Sequence, residues 1–541
     1  MRPEAQSWQS TAVDTAQRSL GTSTPGFSWL GKPQLIFGLI GVYLVGHLLL
    51  RLALSPTLGI DDAEQMLFAR HWAFGYRFRQ PPLFTWMLVP VIDLIGPSLL
   101  AISLVRYALL GITFAFLYLT ARLCLKDQRL AGLAGLSFTL IYVFAYYAHH
   151  DLTHTTALSA MIALALYVTA RLTGNPNWTA YLAAGLVFGL GMLAKWNFVM
   201  LAIGVPLTCL VLPAFRHFVL TWKILATVAV MAVVITPTAL WMFDQGQSIQ
   251  GVSSDILVGS GAGGHMALWL EGGAALLRAT FLFPLPFLLI FLALFSQNLF
   301  ASHHPKTGDD RPALTPVFFG CLILIMLGLH VLLIPLFGAV NFTERWLHPA
   351  LMSLPIFLFA CVDRNHIPDR RIGAFIVMVA ILVAVAAGAR LYRYNAGADD
   401  CSSCREFAPF AVLAEGLRSA GFSKGVIVAD GMHIGGNLKM LFADSLVVDP
   451  AFPRAVWPEA DDRSDIDTRR ATHDCLLVWR DDGRNPEARR DLMRDYATKW
   501  LGLPETTRPR SGRLDAPLIG SSDRSYALGF EFYQENAGGC R

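Results

Sequence analysis

Two adjacent carboxylates, Asp61 and Asp62, open the stretch GIDDAEQMLFARHWAFGYRFRQPPLFTW, residues 59–86, just after an apolar run long enough to cross a membrane. Beside a bilayer a carboxylate is costly unless it is paired or used. It can cap the helix that AEQMLFAR begins, take a proton from a hydroxyl, orient an acceptor or bind a metal. Asp151 follows His149 and His150 at the end of another apolar run. These three could hold a divalent ion, although consecutive residues seldom converge on one metal without distant partners; a polar turn at the membrane surface is the alternative. Lys195 interrupts GLVFGLGMLAKWNF, and Arg345 follows Glu344 beside a further apolar run. Either suits an anion such as phosphate, or snorkels or pairs locally. Arg106 sits inside an apolar run and needs a partner, such as a carboxylate of the opening loop. His265, in GSGAGGHMALWLEGG, lies on a glycine-rich connection that reads equally as a lid or a plain linker.

The elements that must position these groups are membrane helices. Of the 541 residues, 54% are hydrophobic and only 15% charged, and the mean hydropathy is +0.48, which excludes an ordinary soluble enzyme. The formal charge is +4, from 43 basic and 39 acidic residues. With no basic block interleaved with aromatics, nucleic acid is excluded as a partner. The first residues are polar, without the apolar core of a cleavable signal, so the first span is expected to direct export. Windows of about 20 residues predict about eleven spans. They lie near 35–54, 98–121, 130–148, 153–170, 179–194, 197–213, 222–241, 277–296, 313–334, 346–361 and 372–390. Residues 83–96, too short to cross and broken by Pro90 and Asp93, predict an interfacial helix.

Lys and Arg in the connections predict a cytoplasmic N-terminal tail (1–34), cytoplasmic loops at 122–129 and 302–311, and an outward loop over 55–97. The opening loop, the turn at 149–151, Lys195, the loop 242–276 and the loop 336–345 then all face outward, so the candidate catalytic groups fall on one face. Beyond residue 391 the chain turns polar. GVIVAD, SLVVD and CLLVWR read as strands, FAPFAVLAEGLRSAG and RNPEARRDLMRDYATKW as helices, so 391–541 is expected to be a small exported α/β domain after a membrane domain over 35–390. Four cysteines of this tail suggest an oxidising compartment. Cys401 and Cys404, three apart, suit a local bridge that leaves Cys475 with Cys540, one of three possible pairings.

The acidic pair together with RQPPLFTW at 79–86 resembles the GT-C superfamily of membrane glycosyltransferases, specifically family 39 and its relatives. These include protein mannosyltransferases and the bacterial enzymes that move aminoarabinose or galacturonic acid onto lipopolysaccharide. Asp61, Asp62, Ala69, Arg70, Pro81, Pro82, Leu83 and Trp86 match the family's first outward loop, and the likeness continues at Arg106, Asp151, Lys195 and Arg345, covering roughly 35–360. Gln80 departs from the Lys of many relatives, removing one cationic contact.

The resemblance implies an α-helical polytopic GT-C fold. It implies inverting transfer of a sugar from a polyprenyl-phosphate donor to a glycolipid or envelope glycan on the periplasmic side of a bacterial inner membrane. Asp61 is then the base, with Asp62 and Asp151 as further catalytic carboxylates and Lys195, Arg345 and Arg106 on the donor phosphate. Arg70, Gln80, His149, His150 and His265 complete the candidate substrate contacts. No cofactor is assigned, and a divalent metal ion stays open. A flippase of lipid-linked sugars would carry polar groups near mid-membrane and often an internal repeat, and a non-catalytic subunit of an envelope-polysaccharide assembly would need neither.

Overall fold

The structure, a computed structural model, describes residues 26–244, 265–299, 314–362, 367–399, 401–402, 404–451, 472–483 and 485–540. Helix α1 (Pro33–Leu54) starts on a proline, whose missing amide is no loss in a first turn. Helix α2 (Ile60–Phe68) carries the acidic pair. Helix α3 (Leu83–Ile95) forms over the segment expected as an interfacial helix, with Phe84 and Leu88 buried and Leu94 83% exposed. Helix α4 (Leu99–Cys124) is capped by Ser98, whose hydroxyl accepts from the Ala101 amide at 3.2 Å. Then come α5 (Gln128–Leu136), α6 (Thr153–Gly174), α7 (Trp178–Ala194), α8 (Phe198–Val211) and α9 (Ile224–Asp244). After them follow α10 (His265–Leu282), α11 (Phe287–Leu299), α12 (Pro316–Phe337), α13 (Leu354–Val362) and α14 (Asp369–Ala396).

Among the described residues six helices are long and apolar enough to cross a membrane, or up to eight if each of two bent pairs is one span. The count of about eleven is not reached among the described residues, because several of the expected spans are broken. The span expected over 130–148 breaks after α5 into short turns through His149. The one expected over 277–296 breaks between α10 and α11 at FPLP, where two prolines remove amides from the helical ladder. The two breaks meet, with the Tyr142 amide donating to the Leu285 carbonyl at 3.2 Å. Residues 198–219 bend by 108° and residues 344–362 by 43°. Kinks of this kind place polar backbone and charged side chains where a straight span would bury them in lipid.

After α14 come α15 (Phe410–Ser419), β1 (Val426–Ala429), α16 (Met432–Leu441), β2 (Leu446–Val448), β3 (Cys475–Arg480), α17 (Pro486–Leu501), β4 (Arg510–Pro517) and β5 (Ser525–Tyr533). The sheet order is β2-β1-β3-β5-β4. β1 pairs parallel with β2 and β3, and β5 pairs antiparallel with β3 and β4. The three predicted strands and two predicted helices are present; α16, β4 and β5 are additional. Both cysteine bridges form as the spacing suggested, Cys401–Cys404 and Cys475–Cys540. The unit does not stand apart, because Leu67 and Phe68 of α2 and Tyr76 of the opening loop share one hydrophobic cluster with Phe410, Leu438 and Phe532.

Candidate active site

Helix α2 begins after Gly59, which has no side chain to cap it. The cap comes from elsewhere: the Asp61 amide donates to Asp151 Oδ1 at 3.1 Å. Neither Asp61 nor Asp62 therefore caps its own helix. A Cβ at Gly59 would stand 3.0 Å from the Asp151 carboxyl, so glycine is what lets the two segments meet. Asp151 is aimed by a strained turn, since Leu152 next to it adopts φ 72, a conformation a bulky residue rarely takes.

The two carboxylates of the pair diverge. Asp62 is fully buried and forms an ion pair with Arg106, also fully buried. Arg106 thus has its carboxylate from the opening loop, and the structure places it on Asp62 rather than in the open on a phosphate. Asp61 is half-buried. Burial and the neighbouring Asp62 raise its pKa, while Lys195, Arg345 and Arg106 pull it down, and the net direction is up. Asp151 is held well above the usual carboxylate range by burial and by Asp61 and Asp62.

Two cations face this group from other parts of the chain. Lys195 ends α7, and its Nζ donates to Thr155 Oγ1 of α6 at 2.9 Å. Burial and Arg345 push its pKa down to about 8. Arg345, on the turn Glu344–Leu347, is exposed, and among the described residues no ion pair joins it to Glu344. A cavity of about 430 Å³ beside that turn is lined by Glu271, Arg278, Asn341, Phe342 and Thr343.

Sequence reasoning passed over Glu64, one turn along α2 from Asp61. It is 2% exposed, ion-paired with Arg77, and raised in pKa by burial. Its three-residue spacing from Asp61 was the available signal. Gln80 joins this group, its amide donating to Glu64 Oε2 at 3.4 Å. Trp196, beside Lys195, donates its indole N–H to the Phe78 carbonyl at 3.0 Å and so ties the loop to the cation's turn.

Several candidates lie elsewhere. His149 is buried with both ring nitrogens engaged, by Tyr43 at 2.8 Å and Tyr107 at 3.2 Å, and it stacks on His47 at 3.9 Å. It is an interior residue, not a substrate contact. His150 packs on Tyr146, and burial with nearby guanidinium groups drives its pKa well down. The metal option is not met: among the described residues no group of three or more His, Cys, Asp or Glu is arranged to hold an ion. Arg70 is exposed on the far end of the loop, where its charge acts on Lys439 of the C-terminal α/β unit. His265 is exposed at the start of α10, and the glycines preceding it lie outside the described residues.

The site gathers acidic and basic groups among apolar helices long enough to cross a membrane, with a small α/β unit packed on the acidic helix. Residues 79–241 match the dolichyl-phosphate-mannose-protein mannosyltransferase family. The chain is 29% identical over 505 residues to the lipopolysaccharide core galacturonosyltransferase RgtA of Rhizobium johnstonii, covering 91% of this chain and 96% of that one. To RgtB of the same organism it is 28% identical over 503 residues, covering 92% and 97%. Among solved structures, ArnT from Cupriavidus metallidurans bound to undecaprenyl phosphate superimposes with a TM-score of 0.54 at 15% identity, over 91% of this chain and 98% of that one. The resemblance read from the opening loop is borne out, and with it the reading of the chain as an enzyme, a membrane glycosyltransferase.

Proposed function

We propose that the chain moves a sugar from a polyprenyl-phosphate carrier, with inversion, onto a lipopolysaccharide-type glycan at the periplasmic face of a bacterial inner membrane. The names of its relatives favour galacturonic acid as the sugar and the lipopolysaccharide core as the acceptor. The observation that carries the reading is the meeting of Asp61, Lys195 and Arg345, brought from distant parts of the chain onto one another's charge.

In this reading the acceptor hydroxyl attacks the anomeric carbon of the donor, the carbon–oxygen bond to the phosphate breaks, and the proton passes to Asp61. Its raised pKa makes Asp61 a better base than an ordinary carboxylate. Lys195 and Arg345 take up the charge that the departing phosphate gains, which is where fixed cations lower a barrier. Asp151 holds the start of α2 and Asp62–Arg106 its depth, so these two carboxylates position the base. Residues 35–390 form the catalytic membrane part, 391–541 the exported unit, and the N-terminal tail is cytoplasmic. Purified protein in vesicles, given a labelled polyprenyl-phosphate sugar and a lipopolysaccharide core acceptor, is expected to yield labelled acceptor. Movement of the lipid across the bilayer without transfer supports a flippase instead and removes this reading.

A further inference from the structure

We infer that Asn437, on α16 of the exported unit, is a positioning residue for the acidic helix, which makes the exported unit part of the transfer site. The inference rests on the function proposed above for its kinetic consequence, and on geometry alone for the contact. Asn437 is fully buried. Its Oδ1 accepts from the Leu58 amide at 2.8 Å, and its Nδ2 donates to the Leu58 carbonyl at 3.4 Å. The same Nδ2 donates to the His433 carbonyl one turn back at 2.8 Å, which holds the amide in place on its own helix. One side chain thus meets both backbone groups of a single residue, as a neighbouring strand would.

Leu58 stands three residues before Asp61, and any slip of its peptide passes directly to the Asp61 amide and its bond to Asp151. The neighbouring contact is equally close. A Cβ on Gly436 would lie 2.2 Å from the Ala63 carbonyl oxygen and 2.5 Å from its Cα, so the two helices touch backbone to backbone. Ahead of them, Ser55 Oγ and Thr57 Oγ1 donate at 2.8 Å to the carbonyls of Glu406 and Ala408, bracing the connector between α1 and α2. The exported unit therefore holds the acidic helix, while Lys195 and Arg345 are held by α6, α7 and the turn before α13. Displacing a base by about 1 Å costs about 10²-fold in rate.

The test uses full-length protein in detergent or nanodiscs. Asn437→Ala and Gly436→Ala are expected to lower kcat about 10- to 100-fold, leave KM for the polyprenyl-phosphate sugar within about twofold, and move the acid limb of the pH–rate profile. Leu501→Ala, a core truncation at the end of α17 in a cluster that contains no residue of α2, is the control, expected to lower Tm without moving that limb. Hydrogen exchange is expected to show residues 58–66 losing protection in Asn437→Ala while α4 and α6 keep theirs. Wild-type kcat and pH profile in Asn437→Ala, or the same limb shift in Leu501→Ala, overturns the inference. If the wild-type protein transfers no sugar, the proposed function fails on its own, and unchanged exchange over 58–66 in Asn437→Ala then removes the positioning claim separately.

Discussion

Asp61 and Asp62 are chemically identical neighbours, yet their surroundings assign them opposite work. Behind Asp62 lies a closed polar interior, with Arg106 paired to it and both side chains shut off from solvent. In front of Asp61 lies a half-open site whose cations, Lys195 and Arg345, come from other segments. A successive pair on a helix projects about 100° apart, so one residue can anchor in the bundle while the next faces the substrate side. The difference shows that a charge near a membrane is explained by its partner; in the function proposed, the adjacent pair combines an anchor with a reactive group.

Breaking the anchored side should have the largest effect. Arg106→Ala strands Asp62 as an unpaired buried charge, a change that costs about 3–5 kcal/mol. Loss of folded protein on gel filtration, or a large fall in Tm, is the expected outcome. The double variant Asp62→Asn with Arg106→Gln strands no charge and should recover part of the loss. If Arg106→Ala is as stable as wild type, the anchor assigned to Asp62 is wrong.

Breaking the open side should leave the fold and remove the chemistry. Asp61→Asn keeps size and most hydrogen bonding but has no basic lone pair, so transfer should fall about 10²-fold or more while Tm stays near wild type. Donor binding, measured by titration with polyprenyl phosphate, should largely survive. Wild-type turnover in Asp61→Asn moves the base elsewhere.

The members of this site were legible in the sequence because charges stand out in apolar surroundings: Asp61, Asp62, Asp151, Lys195 and Arg345 were each visible before any fold. Their division of labour was not. Only the fold shows that Asp151 rather than the pair caps α2, or that His149 is consumed by Tyr43 and Tyr107. Spans were legible where apolar runs were uninterrupted, as in α1, α4 and α12, and failed at FPLP, where proline outweighs hydropathy. Helix α16 escaped because MHIGGNLKML carries two glycines that weaken a helical pattern; those glycines are there to let α2 approach.

The smallest effect separates the two cations from the base. In the function proposed, Lys195 works only while charged, and its pKa in the free protein is pushed down to about 8 by burial and Arg345. As pH rises through about 8 the ammonium loses its proton, and kcat/KM, which reports the free enzyme, should fall. At the other end Asp61 must be ionised to act as base, and because its pKa is raised, the acid limb should lie above the ordinary carboxylate range. Lys195→Ala should lower kcat/KM about tenfold or more, in keeping with one lost charged hydrogen bond, and abolish the alkaline limb while leaving the acid limb. Lys195→Arg keeps a charge that does not titrate there, so it should retain part of the rate and show no fall near pH 8. An alkaline limb that survives unchanged in Lys195→Arg would assign that titration to another group and detach Lys195 from the phosphate.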